Sequence, residues 1–341
     1  MRRIIIVVTI ISILINIAIY LRNRNLQTRL HEYEGSSLSL LAEHELPISD
    51  RYKTLSIVRG AAQKYPHGVF ANALREFERT ENIILNSLQK DSGVDSISGM
   101  CYVPEGHFIR GCDGRYKGEV VDTVLSSYYL DTYPVTNEQF VEFLNDSGNR
   151  IDHGVRWYQS KYGRIDSTAN GFIVRTGFSD HPVVGVTWYG AVAYASTVGK
   201  RLPTESEWEK AARGMYGRWY PWGNTFHWSR ANTACFWAKS NASDSKLVKM
   251  FEQGEIERVE TTPVSKFAAG QSPYGCYDMA GNVWEWTSSW YVGRIRKHPR
   301  KINRGGNFLY GQSQAQTCYR GIGTPEKASV IVGFRCAKDA N

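Results

Sequence analysis

The chain lacks the short signatures of several common chemistries. Among its 8 histidines none stands in an HxH, HxxxH or HExxH spacing, which removes the usual mononuclear zinc or iron constellation. No GxSxG elbow points to a serine nucleophile of the α/β-hydrolase kind. No Lys/Arg run exceeds a few residues, and no recognition helix or base-stacking motif accompanies the formal charge of +8, so nucleic-acid binding is not expected. Repeats of solenoid or propeller period and low-complexity tracts are missing too. His107 and His181 stand alone in their segments and are expected to be structural.

What is present is aromatic and turn-forming. The 341 residues include 10 Trp, 20 Tyr and 31 Gly, with 42% hydrophobic and 22% charged residues. That is enough chain to bury a large core, and its composition favours a globular, loop-dominated domain.

Arg2 and Arg3 precede an apolar run from Ile4 to Leu21, interrupted only by Thr9, Ser12 and Asn16. As a helix that run rises about 27 Å, close to the thickness of a bilayer's hydrocarbon core. Bulky and charged residues ("AIYLRNRN") follow it instead of a small-x-small cleavage site. The expectation is therefore an uncleaved, single-pass signal anchor over residues 1–22 in an inner (cytoplasmic) membrane. Arg22, Arg24 and Arg29 beyond the span weaken an orientation argument from charge. The cysteines favour export: all six (Cys101, Cys112, Cys235, Cys276, Cys318 and Cys336) lie beyond the span, and an even count suits disulfide pairing in a periplasmic domain.

Residues 23–99 read as a stalk and linker. Apolar residues recur at helical spacing from about residue 55 to 89, broken by Pro66 and Gly68, which suggests two short helices before the linker "KDSGVDSISG". The main domain is placed at residues 100–341. In it, "PVTNEQFVEFLND" carries a capping box from Thr136 and Gln139, and "RLPTESEWEKAARG" another from Thr204 and Glu207 with Gly214 after the last turn. Between them Trp188 to Val198 reads as a helix rich in small residues, able to let a neighbour approach closely. Turns and short strands dominate after Gly214, so the class is α+β with little regular structure for its size.

The blocks "MCYVPEGHFIRGC", "YPVTNEQFVEFL", "HPVVGVTWYGAVAYASTVGKRLPTESEWEKAARG", "YPWGN", "SPYGCYDMAGNVWEWTSSWY", "RGGNF" and "GFRCA" stand in the order found in one family. Over about residues 100–339 the chain resembles the formylglycine-generating enzyme (sulfatase-modifying factor) family. The resemblance implies a variant of the C-type lectin fold. Members include a copper-dependent oxidase, iron-dependent sulfoxide-forming enzymes, pyoverdine-maturation proteins and non-catalytic binding domains, so function must be read from the site.

The oxidase holds Cu(I) with two cysteines shortly after its "GG" turn, a soft-ligand pair suited to a soft ion. Counted without gaps from Gly306, those positions are Tyr310 and Ala315, and the nearest thiol is Cys318. Copper and cysteine oxidation are therefore not expected. Iron is not expected either, because the iron-dependent relatives take histidine ligands from an extra helical domain, and residues 51–90 hold only His67. The family also implies a structural calcium ion in "DMAGNVWEW", held by the Asp278 and Glu285 carboxylates and the Gly281 and Val283 carbonyls. The competing reading pairs Asp278 and Glu285 with arginines such as Arg304. Asn232 matches one ligand of a second calcium site, with Glu255 and Glu257 as unaligned acidic neighbours. The family's paired cysteines after "HPV" fall on Ala195 and Ala212, so an oxidised Cys336 needs another partner, Cys318 or Cys276 among the choices.

Two functions follow as expectations. One is a membrane-anchored binding domain for a protein, peptide or glycan, using the groove its relatives use for substrate, with Tyr310, Tyr319 and Trp290 as candidate contacts. The alternative is an oxidoreductase or maturation enzyme acting on an exported peptide or siderophore.

Overall fold

The structure is a computed structural model that describes Leu74, Arg75, Glu78, Asn82 and residues 97–112, 120–292 and 299–340. The expected anchor at 1–22 lies outside the described residues, as does most of the stalk, whose Leu74, Arg75, Glu78 and Asn82 are helical. No helix among the described residues is long and apolar enough to cross a membrane. The chain divides into two compact units, Met1–Asp91 with Val120–Asp122, and Ser92–Glu119 with Thr123–Asn341. The second carries the site.

Its main helices are α1 (Asn137–Ser147), α2 (Trp188–Thr197), α3 (Glu205–Arg213), α4 (Ala234–Trp237) and α5 (Asp244–Glu252). Both expected capping boxes form: Thr136 and Gln139 satisfy each other's backbone at the start of α1, as Thr204 and Glu207 do at α3. In α2, Gly190 is obligatory, since a Cβ there would stand 2.4 Å from the Trp157 carbonyl oxygen. The small residues of that helix do admit a close neighbour.

The strands are short: β1 (Met100–Val103), β2 (Gly106–Arg110), β3 (Val121–Leu125), β4 (Tyr128–Asp131), β5 (Ile151–Asp152), β6 (Val155–Arg156), β7 (Ile165–Thr168) and β8 (Gly171–Val174), then β9 (Trp284–Trp290), β10 (Lys301–Arg304), β11 (Gly321–Gly323), β12 (Val332–Gly333) and β13 (Ala337–Asp339). β4 is the centre of an antiparallel sheet with β1 and β13 on its flanks. A second sheet runs β11-β10-β9-β12, antiparallel except for the parallel β9–β12 pair. β5–β6 and β7–β8 are hairpins. Phe140, Phe143, Tyr158, Tyr194, Trp286 and Phe334 form the heart of the main core, to which α2 and β9 contribute buried side chains, while α3 packs against β2, β9 and β10. Ala195 and Ala212 are both buried.

Candidate functional site

The segment 278–285 is a locked loop that runs into β9. Asp278, Gly281 and Asn282 all take left-handed backbone angles, with φ of 55°, 79° and 58°. Gly281 cannot carry a side chain, because a Cβ would lie 2.3 Å from the Asn232 carbonyl oxygen. Asn282 is fully buried and fully used: its Oδ1 accepts from Asn232 Nδ2 and the Thr262 amide, and its Nδ2 donates to the Thr262 carbonyl and to Asp278 Oδ2. Such a site holds a non-glycine residue in the left-handed region by over-determining it.

The two carboxylates of the loop have different surroundings. Asp278 is buried, and its Oδ1 has no hydrogen-bond partner. Burial pushes this carboxyl up to about 7, against the lowering effect of the Asn282 hydrogen bond and of Arg335. Glu285 is partnered on both oxygens instead. Its Oε2 accepts from Trp208 Nε1 at 2.6 Å and Arg335 Nε at 2.7 Å, and its Oε1 accepts from Arg335 Nη2 at 2.8 Å. The expected arginine is thus replaced: Glu285 pairs with Arg335, not Arg304, and Asp278 has no direct arginine bond. Trp284 and Trp286, two residues apart on the same strand, both enter the main core, the latter donating from Nε1 to the Val186 carbonyl.

Arg304 serves another network. It pairs with Glu205 at 2.7 Å and makes a still closer contact with Glu209; Glu209 binds Arg213 one turn on, and Arg320 binds Glu205. Burial penalises the Glu209 carboxylate, yet Arg304 and Arg213 hold it below the usual glutamate range. The Glu209–Arg213 spacing is visible in the sequence as an i,i+4 pair. Its long-range partners are not.

Asn232 is committed inside the fold: Nδ2 donates to the Glu260 carbonyl and Asn282, and Oδ1 accepts from Trp237 Nε1. Glu255 and Glu257 are exposed, so the structure does not gather the acidic side of a second calcium site around Asn232. His181 is buried against Thr261 Oγ1 with its basicity lowered by burial, and His107 is an exposed residue of β2.

The segment that follows Gly305 and Gly306 carries the positions matched to the oxidase thiols. Gly306 has φ of 75°, and a Cβ there would meet the Gln314 carbonyl at 2.6 Å, so the turn requires glycine. Tyr310 stands 44% exposed and Leu309 39% exposed, while Ala315 is buried at 1%. Cys318 is disulfide-bonded to Cys112, with Cα atoms 5.9 Å apart, a normal span for such a bridge. Cys336 is therefore not its partner; it is a free, buried thiol, as are Cys101, Cys235 and Cys276. Sequence reasoning also missed Lys301, whose ammonium lies 3.9 Å from the centre of the Trp188 ring and 3.6 Å from that of Trp290. Among the described residues no cluster of three or more His, Cys, Asp or Glu side chains is placed to hold a metal.

Comparison with known proteins gives this geometry its context. The chain is 36% identical over 260 residues to the serine/threonine-protein kinase pkn1 of Chlamydia caviae, covering 70% of this chain and 38% of that protein. It thus spans about two fifths of that relative's length, and neither the HRD nor the DFG signature of protein kinases occurs in this sequence. It is 32% identical over 278 residues to the inactive C-alpha-formylglycine-generating enzyme 2 of Bos taurus, covering 71% of this chain and 88% of that protein. Among solved structures, that of CarF superposes with a TM-score of 0.52 at 20% identity, covering 73% of this chain and 99% of that one, a likeness of fold alone. With residues 86–340 matching the sulfatase-modifying factor enzyme 1-like domain, the chain belongs to that family.

Proposed function

We propose that this chain is a membrane-anchored member of the family that does not oxidise cysteine and instead binds a protein or peptide partner, or a glycan, through the face around residues 307–320. The observation that carries this reading is the chemistry at three positions. Tyr310 and Ala315 offer no thiolate, and Cys318 is already spent in a bridge to Cys112. A Cu(I) site built on paired thiolates has nothing to bind there. Tyr310 and Leu309 instead present an exposed aromatic and an exposed aliphatic side chain beside α5, where Val248 is also exposed at 55%. Exposed aromatics anchored on a rigid turn are what partner recognition uses.

Calcium belongs to the same reading as a structural ion. Asp278 Oδ1 is a buried, unpartnered hard oxygen, the group a calcium ion would complete. Glu285 Oε1 accepts one hydrogen bond against two at Oε2, so it is the oxygen with capacity left. Asp278 and Glu285, with the Gly281 and Val283 carbonyls, would hold the ion, which would brace the loop without taking part in chemistry.

The test uses the full chain in detergent. After loading with Cu(I), metal analysis should find no stoichiometric copper, and a cysteine peptide of the sulfatase type should keep its mass. A photo-cross-linking amino acid at Tyr310 should capture a discrete partner in cells, whereas one at exposed Ile151 should not. Stoichiometric copper with conversion of the peptide would overturn the reading, as would identical cross-links from both positions.

A further inference from the structure

Four cysteines remain outside the Cys112–Cys318 bridge, and two of them touch. Cys101 lies on β1 opposite Leu130 of β4, and Cys276 lies two residues ahead of Asp278. The two thiols are close enough for each to bear on the other's acidity. Cys101 Sγ stands 3.5 Å from Thr132 Oγ1, and a Cβ on Gly275, the residue before Cys276, would lie in ordinary van der Waals contact with the same sulfur at 3.5 Å. The backbone around the pair is fixed from three sides. The Tyr277 amide donates to the Thr132 carbonyl, the Cys276 amide to Ser272 Oγ, and Arg335 spans the Asp131, Thr132 and Tyr277 carbonyls. By contrast, Cys235 Sγ is occupied with the Ala242 carbonyl, and the Cys336 thiol sits beside the Asp131 carboxylate.

We infer that Cys101 and Cys276 are a second disulfide pair, closed by exchange with an external disulfide. The chemistry needs an attacking thiol that can be reached and a resolving thiol behind it. Cys101 is 9% exposed and Cys276 fully buried, which assigns the two roles. Cys276, helped by Thr132 and Arg335 and opposed by burial, holds the Cys101 thiol below the usual cysteine value, which favours its thiolate as the attacking group. Cys101 gives its proton to water, and its sulfur attacks one sulfur of the external disulfide, expelling the first thiolate. Cys276 then attacks Cys101 Sγ in the mixed disulfide and expels the second thiolate, which takes the Cys276 proton. Two cysteines lose two electrons in all, and one external disulfide becomes two thiols. The product would staple β1 to the loop that enters Asp278, at the junction Arg335 already bridges.

The experiment is thiol mapping on the full chain. The protein is equilibrated in a glutathione redox buffer set to an oxidising ratio, unfolded in acid, alkylated without reduction, digested and read by mass spectrometry. The expected result is one cross-linked peptide containing Cys101 and Cys276, another containing Cys112 and Cys318, and alkylated Cys235 and Cys336. As a second readout, Cys101→Ser with Cys276→Ser should lower the Tm of the oxidised protein by roughly 5–15 °C, and have no such effect when both proteins are compared reduced. Alkylated Cys101 and Cys276 in a sample whose Cys112–Cys318 bridge has formed would overturn the inference. Bridges from either residue to Cys235 or Cys336 would do so equally.

Discussion

Arg335 grips Glu285 with two parallel hydrogen bonds, Nε to Oε2 at 2.7 Å and Nη2 to Oε1 at 2.8 Å, and neither side chain has any exposed surface. The remaining donors of Arg335 reach the Asp131, Thr132 and Tyr277 carbonyls, so one guanidinium ties the ends of β4 and β9 to the loop between them. A buried pair of this kind does little for stability relative to apolar residues, because desolvation offsets the attraction. Its removal from one side is another matter.

Glu285→Gln is therefore expected to destabilise the domain by about 3–5 kcal/mol, since it leaves a buried guanidinium without its counter-charge. Arg335→Lys should cost a comparable amount, because an ammonium has no planar fork for the two carboxylate oxygens. Urea denaturation of each variant checks both values. A loss below about 1 kcal/mol in either would show that water or another carboxylate replaces the missing partner.

Acid sensitivity should arise at Glu209. Burial opposes its ionised form, but Arg304 and Arg213 hold its folded pKa below the ordinary glutamate value. A depressed carboxyl pKa means that the unfolded chain binds the proton more readily. The stabilisation is complete above the unfolded glutamate range and is lost as pH falls through that range toward the folded pKa. In Tm against pH, Glu209→Gln should lower the plateau at neutral pH and flatten the acid limb. An acid limb of unchanged steepness would place the sensitive carboxylate elsewhere.

Local chemistry was legible in the sequence, and pairing across the fold was not. Thr136 with Gln139 and Thr204 with Glu207 are three residues apart, so the cap of each helix is written in one short window. The strained loop at 278–282 was legible as a break in pattern, since glycine and asparagine are the residues that tolerate left-handed angles. The sequence leaves Glu285 a choice between a cation and an arginine such as Arg304, and its pairing with Arg335 depends on β9 lying between β10 and β12. Register across a sheet is a property of three strands at once. The same holds for the cysteines: their even number is visible, whereas the Cys112–Cys318 bridge depends on two loops remote in sequence meeting.

Calcium binding, if Asp278 Oδ1 marks the ion, should appear as linkage to folding. Adding calcium to chelator-stripped full chain is expected to raise the Tm, by an amount equivalent to about 2.7 kcal/mol once the free ion reaches a hundredfold excess over Kd. Asp278→Asn should abolish the calcium-dependent rise while keeping the Asn282 contact geometry, and magnesium should substitute poorly because it demands a tighter octahedral shell. An Asp278→Asn protein that still responds to calcium as the parent does would locate the ion outside this loop.

Lys301 sets two opposing effects against each other. Burial alone draws its ammonium down to about 8, a sign that the fold charges a cost for that cation. Opposing it are the Trp188 and Trp290 ring faces, at 3.9 and 3.6 Å, and a hydrogen bond of 2.7 Å to the Ser288 carbonyl. Each ring contact is worth about 0.5–2 kcal/mol, and a charged hydrogen bond about 1.5–3 kcal/mol, which together exceed the benefit of swapping in an apolar side chain. Lys301→Met keeps the length of the stem and deletes the charge, so it isolates this balance. The expected result is a Tm lower by a few degrees and a red-shifted tryptophan emission as the half-exposed Trp290 loses its clamp. If Lys301→Met melts at or above the parent, desolvation outweighs the two rings and the hydrogen bond together, and the cation is kept there for a reason other than stability.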